Sequence, residues 1–257
     1  MEKPIFYLID MEHLLFKLTR PEIEEYLKKC DVVLFPVGST EQHGKHMAID
    51  NDSYTALEIS KRVAEKTDVV VASPLYFGYS PHHMNFKGSV TLTFNTLVDV
   101  YREVCESLLH HGFNKIVIMN AHGGNTNPIR EALHRIQEDT GKRVYSVMVF
   151  PSPSGFGAEG TKVIEQSGGG HACELETSVG LYLGQRILMD KAEDWKPEYS
   201  SINPKYKGKV TAAYSFDEST SIGSLGEPTK ATYEKGKILV ESVVEDLAEF
   251  IEYLKKL

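Results

Sequence analysis

The chain has 257 residues, 41% apolar and 25% charged, ordinary values for a globular protein that can bury a sizeable core without staples. Its net charge of −8 excludes a broad basic surface for nucleic acid. Three scattered cysteines, Cys30, Cys105 and Cys173, form no CxxC pair, and the expected setting is cytoplasmic.

In chain order, the N-terminal eighteen residues have no apolar h-region and are not expected to act as a signal peptide. No stretch of about 18 apolar residues follows, so no membrane span is expected. Four short runs rich in β-branched residues, Val32 to Val37, Val69 to Ala72, Ile116 to Met119 and Val144 to Val149, read as strands buried on both faces. Helical patterns alternate with them: Asp52 to Glu65, Thr96 to His111 with Thr96 as N-cap, and a helix opened by Asn127-Pro128 that runs to about Asp139. Strand and helix alternating at this spacing predict an α/β fold with a parallel sheet covered on both faces. Beyond it come a loop-like stretch from Phe150 to Gly170, an apolar helix from Val179 to Leu188, and an irregular stretch from Asp190 to Gly226 broken by Pro197 and Pro204. An amphipathic tail helix from Thr229 to Leu257 closes the chain. No linker divides it, and 1–257 is expected to be a single domain.

Four segments carry chemistry, each at a predicted strand end or in a loop, where open parallel sheets bind ligands. The first, Gly38-Ser-Thr-Glu-Gln-His-Gly44, follows the first strand. Glu41 and His43, two apart in extended chain, point to one side, and a carboxylate beside an imidazole is half of a divalent cation site. Asp52 follows at a helix start, with Asp50 as the rival carboxylate. The second segment ends a strand on Asn120-Ala-His-Gly-Gly-Asn125, where His122 precedes two glycines that let backbone approach a ligand. The third, Gly170-His-Ala-Cys-Glu-Leu-Glu-Thr-Ser178, crowds His171, Glu174 and Glu176 together; His171 suits acid–base work, Glu176 a ligand role, and Glu174 a helix N-terminus or substrate contact. The fourth, Tyr79-Ser-Pro-His-His-Met-Asn-Phe86, offers His82 and His83 to substrate. His13, His110, His111 and His134 read as packed or solvated helix and edge residues. The triplet Gly168 to Gly170 lacks the pattern of a phosphate loop.

TEQHG with its downstream Asp52, SPHHMNF-KG, NAHGGN, GHACELETS and the late GEPTKATYEKG, in this order from about residue 31 to 240, together resemble the creatininase (creatinine amidohydrolase) family. The resemblance implies a three-layer α/β/α sandwich with a mostly parallel central sheet. It also implies a site for two divalent metal ions (Zn, Mn or Fe) at the sheet's carboxyl edge. Glu41 and His122 would hold one ion, His43 the other, and Asp52 would bridge them. His171 falls on the family's acid–base histidine and Glu176 on a recurrent acid; His83, Asn125 and Glu174 are expected at the substrate.

One departure stands out. Where creatininase has a glutamate ligand two residues after the NxH histidine, this chain has Gly124, and Glu176 is expected to complete the second ion's shell. No tryptophan lies near His171 to enclose a flat ring; Trp195 comes later in an irregular stretch. Creatinine is therefore not the expected substrate. The expected reaction is hydrolysis of a small cyclic amide or formamide by a metal-activated water. The alternatives are opening of a carbon–carbon bond in an inositol-derived cyclic diketone, or a non-catalytic metal-binding homologue. Lys45 and Lys87, where many relatives have proline, hint at an anionic or polyhydroxylated substrate. The resemblance further implies a homo-oligomer, possibly a hexamer.

Overall fold

A computed structural model describes residues 12–196, 209–210 and 212–257. Four strands, β1 (Val32–Val37), β2 (Val70–Val71), β3 (Lys115–Asn120) and β4 (Val144–Met148), form one sheet in the order β2-β1-β3-β4. Every pairing among them is parallel, with Val32 opposite Lys115 and Ile116 opposite Val144. Pro36 sits in the central strand β1 without breaking a ladder. Its carbonyl accepts from Leu75 N–H on the β2 side, where β2 itself has already ended at Val71. The missing donor of proline thus falls where no strand asks for one.

The sheet is covered on both faces, because successive strand residues point to opposite sides. Val32 and Leu34 of β1 and Val117 and Met119 of β3 pack on α2 (Asn51–Thr67), α5 (Glu174–Leu183) and α6 (Tyr233–Lys255). Val33, Phe35 and Val37, with Ile116 and Ile118, pack on α1 (Arg20–Leu27), α3 (Phe94–His110) and α4 (Thr126–Thr140). This is a three-layer α/β/α arrangement around a parallel sheet. No helix among the described residues is long and apolar enough to cross a membrane.

Several boundaries differ from the sequence reading, each for a local reason. Helix α3 starts two residues early because Thr93, not Thr96, is the N-cap; its hydroxyl accepts from Thr96 N–H. Helix α4 begins at Thr126, a residue before Asn127. Helix α5 runs from Glu174 to Leu183 rather than from Val179 to Leu188, stopping where Gly184 takes a left-handed conformation at φ 83°. The tail helix begins at Tyr233, capped by the Thr232 hydroxyl on Lys235 N–H. Pro197 and Pro204 lie outside the described residues, as do residues 1–11.

Candidate metal centre

The site forms where β1 and β3 end. Gly38 follows β1 and lies so close to the start of α2 that a Cβ there would stand 2.3 Å from Ser53 N and 2.5 Å from Asp52 C. This contact brings Asp52, in the first turn of α2, beside the loop that carries Glu41 and His43. Asn120, the last residue of β3, grips His122 by both main-chain groups: its Oδ1 accepts from His122 N–H and its Nδ2 donates to His122 O. The segment 79–83 closes the third side, and the first turn of α5 brings Glu176.

Glu41, His43, Asp52 and His122 are all buried, at 5% exposure or less, and converge. His122 Nδ1 lies 3.3 Å from Glu41 Oε2 and 3.1 Å from Asp52 Oδ2. His43 Nε2 lies 3.2 Å from Asp52 Oδ1 and 4.0 Å from Glu176 Oε2. Asp52 therefore turns one oxygen to each histidine. Glu41, Asp52 and His122 form one set of donor atoms with metal-site spacing, and His43, His171 and Glu176 form a second. A third set, Glu41, His83 and His171, has the same spacing.

The outer contacts fix which nitrogen each ring presents. His122 Nε2–H donates to Tyr79 O at 3.1 Å and Ser80 Oγ at 3.0 Å, so Nδ1 is the inward atom. His43 Nδ1–H donates to Glu41 O at 3.2 Å, so Nε2 is inward. His171 Nε2–H donates to Gln42 O at 2.7 Å, leaving Nδ1 as the inward lone pair. Ser80 donates to Glu41 Oε2 at 2.5 Å. Among the described residues, buried His43 Nε2 and Asp52 Oδ2 make no well-directed hydrogen bond. Unsatisfied polar atoms buried side by side are costly unless something else meets them, and these oxygens and nitrogens are the donor types that a divalent cation would take.

The charges agree. Burial opposes the imidazolium of His43, but the carboxylates of Asp52, Glu176 and Glu41 lift it to about 9. His122 is likewise lifted well above the ordinary range against burial, chiefly by Glu41. Burial pushes Glu41 up, but the histidines around it, His122 foremost, together hold it well below the carboxylate range. Asp52 is also lowered: burial and Glu41 push it up, but His43 and His122 prevail. Burial, helped by Asp52 and Glu41, raises Glu176 to about 7. Burial keeps His171 and His83 neutral, both below their ordinary value.

Not every expected site residue faces this centre. Asn125 is wholly buried, and its amide is committed to Gly38 O, Tyr79 N–H and Asn120 Oδ1; it ties three segments together and has nothing left for a substrate. Glu174 points away, accepting from Glu165 N–H and Gln166 N–H and pairing with Lys235 at 2.6 Å. Its place is that of an anchor for α6. Lys45 pairs with Glu193 at 2.8 Å on the surface. His110, His111 and His134 are exposed, and His13 bonds to Val69 O. Gly124 has no room for a ligand, since a Cβ would stand 2.2 Å from Tyr79 O and 2.4 Å from His122 Nε2.

Other residues enter that sequence reasoning passed over. Ser80 touches both Glu41 and His122, and Gln42 contacts two histidines. Phe216 covers His83 and His171 at ring separations of 4.2 and 4.8 Å. Beside His82, whose ring lies parallel to that of His122 at 6.3 Å, opens a cavity of about 570 Å³ lined by Tyr79, Pro81, Tyr214, Ser215 and Glu218.

The creatininase family model (creatinine amidohydrolase) matches residues 17–251. The chain belongs to the creatininase family. It is 36% identical to the 3-dehydro-scyllo-inosose hydrolase of Thermotoga maritima over 107 residues, 41% of this chain and 34% of that protein. It is 27% identical to the creatinine amidohydrolase of Pseudomonas putida over 259 residues, 91% of this chain and 94% of that protein. Among solved structures, creatininase in a manganese form superposes with a TM-score of 0.83 at 24% identity, covering 95% of this chain and 99% of that one. A Zn-Zn form of a creatininase mutant gives 0.82 at the same identity and coverage. These likenesses carry the fold, and the relatives named are hydrolases.

Proposed function

We propose that this chain hydrolyses an amide-type carbon–nitrogen bond, in a small cyclic amide or formamide, at a centre for two divalent cations. The observation that carries the reading is the pair of donor sets that meet at one carboxylate: Glu41, Asp52 and His122 form the first, and His43, which faces the other oxygen of Asp52, forms the second with Glu176 and His171. Glu41 and His122 would hold the first ion, His43 and Glu176 the second, and Asp52 both. Bound divalent ions supply Lewis acidity, which lowers the pKa of water toward neutrality and polarises a carbonyl.

The protein's own groups do the rest. Main-chain carbonyls hold the His43 and His122 rings so that a lone pair faces inward. His171, neutral by burial and with Nε2 tied to Gln42 O, keeps Nδ1 free to take a proton and hand it to a leaving nitrogen. Phe216 excludes water from above His83 and His171. The cavity beside His82 suits the non-reacting part of a substrate.

A second reading is favoured by the 36% identity to an inosose hydrolase: attack on a ring ketone, with His171 protonating a carbon leaving group instead of nitrogen. The test is metal analysis of the purified protein, then turnover of a panel of lactams, formamides and cyclic diketones. Two ions per chain and turnover of a lactam or formamide are expected. Turnover of the diketones alone moves the assignment to carbon–carbon cleavage. Two ions with no turnover leave a metal-binding scaffold, and no tightly held ion overturns the centre.

A further inference from the structure

Gln42 lies between Glu41 and His43, is 5% exposed, and has every polar atom of its side chain engaged. Its Oε1 accepts from Gly44 N–H at 3.0 Å, and its Nε2 donates to Gly223 O at 3.0 Å. One partner is a main-chain donor and the other a main-chain acceptor, so the amide has a single orientation; turned over, it would set N–H against N–H and oxygen against oxygen. Gly223 leaves the room for it, since a Cβ there would stand 2.1 Å from Gln42 Oε1.

The second hydrogen on Nε2 points at His83 Nδ1, 3.0 Å away. His83 Nδ1 must therefore accept, and the proton of this neutral ring sits on Nε2. That N–H faces Glu41 Oε1 at 3.6 Å. His171 Nε2, 3.1 Å from the same amide nitrogen, takes no hydrogen from it, because both are used and the ring donates to Gln42 O.

His83 thus differs from the other three histidines of the centre. In those three the outward nitrogen donates to the protein, which leaves the inward nitrogen to a cation, whereas the outward nitrogen of His83 accepts, which keeps a hydrogen on the inward one. A protonated ring nitrogen does not coordinate a cation, so the set Glu41, His83 and His171, though spaced like a metal site, is not one. We propose that Gln42 is a positioning residue: its side-chain amide fixes His83 as the Nε2–H tautomer, which steadies Glu41 through Oε1 and leaves Oε2 to the first cation. The inference rests on the two-cation reading for its consequence, but the tautomer itself does not depend on that reading.

The test is a long-range proton–nitrogen correlation spectrum of ¹⁵N-labelled protein, with and without Zn²⁺, in which His83→Gln identifies the His83 signals. The expected pattern for His83 is a bare Nδ1 and a protonated Nε2 in both spectra. Gln42→Leu should lose that pattern and weaken binding of the first Zn²⁺ by about tenfold to a hundredfold, read by competition with a chromophoric chelator. A His83 protonated on Nδ1 in the native protein overturns the proposal, as does a Gln42→Leu protein with native tautomer and native Zn²⁺ affinity. If Gln42→Leu does not fold, the native spectrum still decides. If the native protein takes up no Zn²⁺, the two-cation reading fails while the metal-free spectrum judges the tautomer separately.

Discussion

His43 and His122 sit where two carboxylates, Glu41 and Asp52, need positive charge, and in the metal-free protein protons supply it. His43 stands at about 9 and His122 well above its ordinary value, so both are imidazolium at neutral pH. In unfolded chain a histidine titrates near 6.5. Their stabilising contribution is thus complete below that pH and fades as the pH rises through about 9. Glu41 and Asp52 are shifted down, so theirs is present at neutral pH and is lost as acid protonates them. A cation entering the centre needs the lone pairs those protons occupy. Binding at pH 7 should release roughly two protons, one from each ring. Calorimetry of Zn²⁺ binding in buffers of different ionisation enthalpy measures this number, and an enthalpy indifferent to the buffer would contradict it. The contrast of Glu174 with Glu176 shows what a sequence can reveal at this scale. Both are acids in a GHACELETS segment, and nothing in it says which faces inward. Two residues apart on a helix point to nearly opposite sides, so one reaches His43 and the other Lys235, a partner 61 residues away. Ser80 and Gln42 were illegible for the same reason, since their partners lie 39 to 181 residues off in the chain.

At the scale of elements, β1 and β3 were legible because they are buried on both faces and read as near-continuous apolar runs, whereas β4, expected to be buried likewise, leaves Ser146 and Met148 exposed at the sheet's edge. Helix ends were less so, since Thr93 and Thr96 are both fair caps and only the fold decides between them. The placing of α5 depends on a contact no periodicity encodes. Gly236 of α6 lies against the carbonyl of Ser178 in α5, and a Cβ there would stand 1.9 Å from that oxygen and 2.6 Å from its carbon. Alanine in a helix interior is favoured over glycine by about 1 kcal/mol. The clash is with backbone, which cannot turn aside, and overpacking of this kind costs about 1–3 kcal/mol. The clash should win, so Gly236→Ala should lower the melting temperature. It should also tilt α5 and with it Glu176, while Glu41, Asp52 and His122, held by other elements, keep their places. Zn²⁺ titration should then find the second ion weakened and the first retained. A Gly236→Ala protein as stable as the native one would mean that α5 and α6 are not packed this closely.

Across the whole molecule the centre gathers segments far apart in the chain: the ends of β1 and β3, the start of α2, the turn at 79–83, the start of α5 and the chain at 216–223. Two polar atoms at their meeting point lack partners among the described residues, and two buried imidazoles balance two buried carboxylates. Unfolding separates all of these groups, so an ion bound there is bound to the folded state alone and should stabilise the fold as a unit. With free ion at a hundred times its dissociation constant, one site contributes about 2.7 kcal/mol. In a chain of this size each kcal/mol is worth roughly 2–4 °C of melting temperature. Stripping the ions with a chelator should therefore lower the midpoint by roughly 5–10 °C per ion lost. Restoring Zn²⁺ or Mn²⁺ should recover it, and Mg²⁺, which prefers an all-oxygen shell, should recover little. In Asp52→Ala the shared carboxylate is gone, and the midpoint should no longer respond to chelator or ion. A native midpoint that ignores the chelator would show that the cluster closes on itself without a cation, with imidazolium and carboxylate as its final partners.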